Sequence, residues 1–497
     1  MDSEDVVDVV VVGAGLSGIN AGYRLQTMMP HRTFAIFEAR DKIGGTWSFW
    51  KYPGARTDSA MGVFGFDWYP WRSINNMAKA EEINQYISDA AAAQGIDKKI
   101  RLGHRAVSAS WSSEEQMWTL QVEVTGTDGN ITEKTFKTWW LINASGYYRY
   151  DKALPVNIPG LDKFGGEVVH PQWWNENITH EGKDIVIIGS GATAVTLLPA
   201  LAKTAKSVTM LQRSPTFVLA LPGKVSRFFW QKCLPVSWSD KINWWLRICV
   251  EYLFVTILSS FPNFARNFIQ GEMRKMLPKG FDIEKHFNPR YNVFEQRLCF
   301  CPSGDFFKAF HRPNVNIVTD TIKTVTETGI ELASGQTLDA DMIVTATGLY
   351  VALLGGMEIT VDGFRFDTTL NERYVWYSTM IDGLPNAGSL MGYVGTTWTP
   401  GADVRLRQMI KVMKYMEKEG ATSMTPTLTD EERAKFPKTS ALPLTSTYAL
   451  DARKRLPLAA SIGPWRTGRN WVADTWHYWF GSITKGAKYT YPQKKGN

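Results

Sequence analysis

The sequence predicts an α/β chain of two Rossmann-like units, one inserted into a discontinuous other, with a helical embellishment on the inserted unit. Three observations carry that prediction. A glycine-rich word follows an apolar strand at Gly13 and again at Gly189. Two further buried strands bracket the second word. The 497 residues hold about three domain-equivalents at roughly 150 residues each.

Taken in order, Val6 to Val12 is a β-branched run that reads as a fully buried parallel strand. It enters Gly13-Ala14-Gly15-Leu16-Ser17-Gly18 and a helix through about Leu25. The first glycine permits the tight turn, the second lets a pyrophosphate approach the backbone, and the third lets helix pack on strand. Phe34 to Phe37 supplies the second strand, and Glu38 the acid that such a motif places about 20 residues on to bond a ribose hydroxyl. The first unit therefore suits FAD or NAD.

The second word, Gly189-Ser190-Gly191-Ala192-Thr193-Ala194, follows Ile185 to Ile188 and opens an apolar helix to about Ala202. Its second strand, Val208 to Leu211, ends in Gln212-Arg213 with Ser214 next. An arginine there accommodates a 2′-phosphate, which suits NADP. A single GxGxxG is a weak signal, since a glycine-rich turn in an unrelated α/β domain spells it too. Two copies 176 residues apart (189 minus 13), each with a fitting strand terminus, outweigh that alternative.

The strands Leu141-Ile142-Asn143-Ala144-Ser145-Gly146 and Ile343-Val344-Thr345-Ala346-Thr347-Gly348 end alike, one before and one after the second word. They read as the crossings by which the chain leaves the first unit and returns. The expected division is residues 1–150 for the first part of an FAD-binding domain, 151–345 for an NADP-binding domain and 346–497 for the second FAD-binding part with a C-terminal tail. A Trp/Phe-rich helical insert is expected at about 222–290, within the NADP-binding domain.

Composition narrows the function classes. A chain 44% hydrophobic and 21% charged with 41 glycines excludes disorder, collagen-like repeats and coiled coil. The 20 Trp, 18 Tyr and 25 Phe could enclose something flat, fill cores or face a membrane. The net charge of +7, without a run of five or six Lys or Arg, favours a small anionic ligand over nucleic acid. Four cysteines argue against a disulfide framework, and the acidic start without a basic leader reads as intracellular and cytoplasmic. The seven histidines show no ligand spacing, so no metal is indicated. The apolar stretch Tyr252 to Leu258, interrupted upstream by Arg247 and Glu251, is too short to span a bilayer, which needs about 20 residues. It reads as a buried helix or, given Trp244, Trp245 and Phe254, as one lying on a membrane surface.

Three strings carry a family resemblance. Phe164, Gly166, His170 and Trp174 match FxGxxxHxxxW. Gly45-Thr46-Trp47, Tyr52-Pro53-Gly54 and Asp58 match GxWxxxxYPGxxxD. Trp465 to Asn470 is similar to the mobile-loop word WxxGxN. On these the chain resembles the class B flavoprotein monooxygenases and, among them, the type I Baeyer–Villiger monooxygenases. GSGATAVTLLPALA, MLQRSPT and the string from Tyr291 to Cys299 place it near the ethionamide-activating group.

The resemblance implies FAD, NADPH and molecular oxygen, an apolar ketone or sulfide as substrate, and insertion of one oxygen atom beside a ketone carbonyl through a C4a-peroxyflavin. It implies that Arg297 is the always-charged catalytic donor, oriented by Asp58. Ser17, Thr46, Trp47, Arg56, Asp58 and Ala106 join the glycine words as cofactor-binding residues. Trp465 is either the mobile-loop residue that closes over NADP or a core filler. His170 reads as fixing the linker between domains rather than moving a proton. Asn175 and Gln296 depart from the family, which usually has Pro or Asp at the first position and often Lys at the second. A sulfur or nitrogen oxygenase is the alternative activity, and a flavin-bearing redox sensor the non-catalytic one. Cys299-Phe300-Cys301 does not have the spacing of a disulfide reductase pair. Oligomeric state is not legible.

Overall fold

The structure is a computed structural model that describes residues 5–225, 233–393, 395–468 and 470–492. Arg469 of the WxxGxN word lies outside the described residues.

Val6–Val12 forms the strand its β-branched run predicts, and Val9, Val10 and Val11 are fully buried. It lies between Phe34–Phe37 and Ile131–Asn143, parallel to both. Ile131–Asn143 is also the last strand of an antiparallel meander with His104–Ser112 and Met117–Thr125. The short strand Ala387–Ser389, from far along the chain, adds in parallel to Ile131–Asn143. Glu358–Val361 likewise adds to His104–Ser112. The first sheet is therefore built from both ends of the chain.

The second sheet centres on Asp184–Ile188, flanked in parallel by Ser207–Gln212 and Met342–Thr345. Val315–Thr319 and Glu167–Val169 close its edges. A core of its own fills the inner face, with Ile187, Leu197, Leu198 and Met210 fully buried. Between the sheets, Tyr148–Ala153 pairs antiparallel with Leu349–Val351, so the outgoing and returning segments run side by side. Each follows a glycine in the left-handed region, Gly146 (φ 86°) and Gly348 (φ 118°). The two-unit, inserted arrangement expected from the strand words is the arrangement observed.

The insert folds as helices Val236–Ser260, Pro262–Met276 and Ile283–Phe287. Two expectations need correction here. Tyr252 to Leu258 belongs to a 25-residue helix that is long and apolar enough to cross a bilayer by length and composition. Nor is that helix buried: only Ser239, Asn243, Ile248 and Leu258 along it are. The charges that seemed to interrupt it turn inward. Arg247 lies against Gly62, and the Glu251 carboxylate accepts from the Thr397 N–H at 2.9 Å and hydroxyl at 2.8 Å.

Candidate active site

A cleft of about 610 Å³ is lined by residues of both units. Gly13, Gly15, Ser17 and Glu38 contribute from the first glycine word and its acid, Ala192 and Thr193 from the second. Thr46, Trp47, Arg56, Asp58, Ala106 and Arg297 complete the residues expected there that do line it.

The glycine turns are close-packed where chemistry requires it. At Gly13 (φ 105°) a Cβ would sit 2.7 Å from the Ala144 carbonyl oxygen, and at Gly18 one would sit 1.8 Å from that of Gly13. Gly189 (φ 137°) repeats the first arrangement, its Cβ falling 2.3 Å from the Ala346 oxygen. The helices Leu16–Met28 and Ala192–Leu201 start from Gly15 and Gly191, neither carrying a side-chain cap. Their first amides are left without a side-chain cap, which is what a pyrophosphate at a helix N-terminus needs. Glu38, only 6% exposed, accepts from the Ala14 N–H at 2.9 Å and the Arg40 N–H at 3.1 Å. The acid thus stands beside the turn whose ligand it is expected to hold. These features fit a dinucleotide at each turn.

Arg297 precedes the strand Cys299–Pro302, and its Nη2 donates to Asp58 Oδ1 at 2.8 Å, across 239 residues of chain. Asp58 holds the Arg297 pKa far above its ordinary value, so the guanidinium is a permanent cation in the cleft. Arg56 instead forms a bidentate pair with Asp305 at 2.5 and 3.0 Å. It is pinned to the inserted unit while lining the cleft.

An aromatic wall also lines the cleft, for which the sequence offered Trp47 and Trp50 but not Tyr147, Tyr148 or Trp398. Trp50 Nε1 donates to the Tyr148 hydroxyl at 2.8 Å, which donates to Thr46 Oγ1 at 3.0 Å. Trp398 stacks on Tyr147 with ring centroids 5.2 Å apart and donates from Nε1 to Ser17 Oγ at 3.0 Å. The run Tyr147-Tyr148-Arg149-Tyr150 just after the first crossing word was a legible signal, whereas Trp398 had none.

Several expected residues do not line the cleft. Gly18 and Ala194 pack inward: Gly18 is pressed on Gly13, and Ala194 is fully buried beneath the second sheet. Ser190 donates to the Ser214 carbonyl at 3.2 Å, which ties the second glycine turn to the strand terminus bearing Arg213. Arg213 is exposed and donates to Thr447 Oγ1 at 3.3 Å. Trp465 stands apart from the cleft. It is 1% exposed in the first unit's core with its ring against Gly486, the packing of a core side chain.

His170 caps the short turn Pro171–Trp173, its Nδ1 accepting from the Gln172 N–H at 3.2 Å. The Gln172 amide in turn donates to the carbonyls of Arg149, Tyr150 and Lys152. The fingerprint thus clamps the outgoing linker strand. Burial pushes His170 below its usual pKa, as it does His104, His286 and His477. Between that lowered value and the unfolded one of about 6.5, the unfolded chain binds more protons, so stability is full above pH 6.5 and falls on acidification. The melting temperature should drop from about pH 7 to pH 5.5. His170→Gln should flatten part of that slope in a pH series of thermal melts, and an unchanged slope would show that His170 is not one of the groups responsible.

Burial pushes the Cys299 and Cys301 thiols up to about 12 and both are free, so they behave as small apolar side chains.

Residues 7–231 match the profile of the Flavin-binding monooxygenase-like family. The FAD-containing monooxygenase EthA of Mycolicibacterium smegmatis is 40% identical over 474 residues, 94% of this chain and 93% of that one. Among solved structures, an oxidized steroid monooxygenase bound to NADP aligns with a TM-score of 0.75 at 22% identity, covering 98% of this chain and 100% of that one. A cyclohexanone-bound cyclohexanone monooxygenase aligns with a TM-score of 0.73 at 21% identity, covering 98% and 99%. Those likenesses carry the fold. The sequence identity along nearly the whole length carries the family: the chain belongs to the FAD-containing, flavin-binding monooxygenases.

Proposed function

We propose that this chain is a Baeyer–Villiger monooxygenase that converts a ketone, NADPH, a proton and O2 into an ester or lactone, NADP+ and water. The observation that carries the reading is the Arg297–Asp58 pair, a fixed cation held in the cleft by a carboxylate from the other unit.

FAD, held by Gly13, Gly15, Ser17, Glu38, Thr46, Trp47 and Ala106, supplies the activation of oxygen. NADPH is held by Gly189, Ser190, Gly191, Ala192 and Thr193, with Arg213 and Ser214 at its 2′-phosphate. Arg297 stabilises the negative charge that grows on a ketone's carbonyl oxygen under attack, and being always charged it needs no proton transfer to do so. Asp58 orients it. The wall of Trp47, Trp50, Tyr148 and Trp398 keeps water from the reacting atoms.

Incubating flavin-loaded enzyme with NADPH, labelled oxygen and paired ketone and sulfide panels tests this. Label in an ester is the expected result; sulfoxides without ester would overturn it in favour of heteroatom oxygenation. For the donor, Arg213→Ala should raise the KM for NADPH by about tenfold or more while that for NADH changes little, since only the former has a phosphate for the guanidinium to pair with. Equal weakening of both would remove Arg213 from 2′-phosphate recognition.

A further inference from the structure

Two helical segments far apart in sequence meet and expose large apolar rings. Trp238, Phe261, Phe264, Trp476, Trp479 and Phe480 are each between 55% and 67% exposed. They belong to the hairpin of Val236–Ser260 and Pro262–Met276, which turns at Phe261, and to Trp471–Phe480. The segments meet where the Trp471 ring packs edge-on against Trp244 and Trp245, centroids 5.4 and 4.9 Å away. No charged residue occurs from Tyr252 to Ala265, and the two charges just before them, Arg247 and Glu251, are turned inward. Indole and phenyl rings interleaved with serine, threonine and asparagine make a surface suited to the headgroup layer of a bilayer.

Charge selects the occupant. Residues 222–290 hold 11 basic and 5 acidic side chains, and 465–497 hold 6 and 1. The rest of the chain holds 38 basic and 42 acidic, so the +7 of the whole arises entirely from the segments that display these rings. Lys241, Lys279, Lys485 and Lys488 are exposed on them. A second copy would bring two such basic faces together, whereas an anionic lipid surface complements them. A spanning orientation would strip the half-buried Glu251 from Thr397 and put its carboxylate in hydrocarbon.

We propose that these helices dock the enzyme peripherally on a membrane bearing anionic lipid, with the rings in the interface and the lysines at the headgroups. Glu251 ties the docking helix to Thr397, between the cleft residues Thr396 and Trp398, so the lipid contact bears on the substrate cleft.

Flotation of flavin-loaded enzyme with vesicles tests this. Partition into mixed phosphatidylcholine–phosphatidylglycerol vesicles should exceed that into pure phosphatidylcholine by about tenfold at low salt, and raising salt should erase the difference. The quadruple variant Phe261→Ser, Phe264→Ser, Trp476→Ser, Trp479→Ser should lose about tenfold in partition while keeping its FAD content and NADPH oxidation. Lys241→Gln with Lys485→Gln and Lys488→Gln should weaken the anionic preference without touching the rings. Parent enzyme that fails to float with anionic vesicles overturns the proposal. So does a ring variant that floats like the parent, or a parent dimer in vesicle-free sedimentation that the ring substitutions dissociate.

Discussion

Arg297→Ala should abolish ester formation while NADPH still reduces the flavin. The substitution does more than delete a donor. Asp58 Oδ1 is paired with Arg297 at 2.8 Å, and Asp58 Oδ2 is buried without a partner among the described residues. Without the guanidinium the cleft changes from a balanced pair to an unpaired carboxylate that opposes negative charge on the substrate oxygen. Loss of one such donor costs about 10²- to 10³-fold in turnover, and the unpaired carboxylate adds to that. Arg297→Lys should recover only part, because an ammonium lacks the planar fork that lets one guanidinium face Asp58 and substrate together. Stopped-flow reduction of the flavin and chromatographic assay of ester separate the two steps. Ester formation near the parent rate would remove Arg297 from the chemistry, and loss of flavin reduction as well would make its role one of NADPH binding.

Gly18→Ala should yield enzyme that purifies with little flavin. The added Cβ would lie 1.8 Å from the Gly13 carbonyl oxygen, and that oxygen belongs to backbone hemmed by the Ala144 segment. The helix must therefore move off the strand, which carries its first amides away from the phosphate position. Overpacking of this kind costs about 1–3 kcal/mol, or roughly ten- to a hundredfold in FAD affinity. Gly191→Ala is the matched contrast, since nothing lies within 4 Å of its Cβ. It should keep its flavin and affect only the NADPH turn. The ratio of flavin to protein absorbance reads both, and a fully yellow Gly18→Ala would show that the turn tolerates the displacement.

Much of this molecule was legible in advance because its signals are local. A β-branched strand, a glycine turn and a helix are specified within about twenty residues, and Gly13, Gly18 and Gly189 are each required by a carbonyl brought against them. The crossing words were legible for the same reason, ending buried strands in a glycine with positive φ. The wall around the cleft was legible only in part. Tyr148 stands next to a crossing word, but Trp398 reaches Ser17 across 381 residues, and no spacing rule links them. Arg297 and Asp58 came from a family resemblance, and their contact depends on how the two units meet.

Where the sequence misled, it did so through direction. Trp465 left two readings open, and the structure packs its ring against Gly486 in the core. Arg247 and Glu251 looked like interruptions of an apolar segment, yet they face inward and leave the aromatic side outward. Sequence by itself determined the two glycine turns and their order, because backbone sterics and short-range hydrogen bonding act within a few residues. Only the tertiary structure decided which cation shares the cleft with which carboxylate, and which rings are core and which surface. Burial and pairing are properties of surfaces that meet across hundreds of residues, and a side chain's chemistry does not state which way it will face.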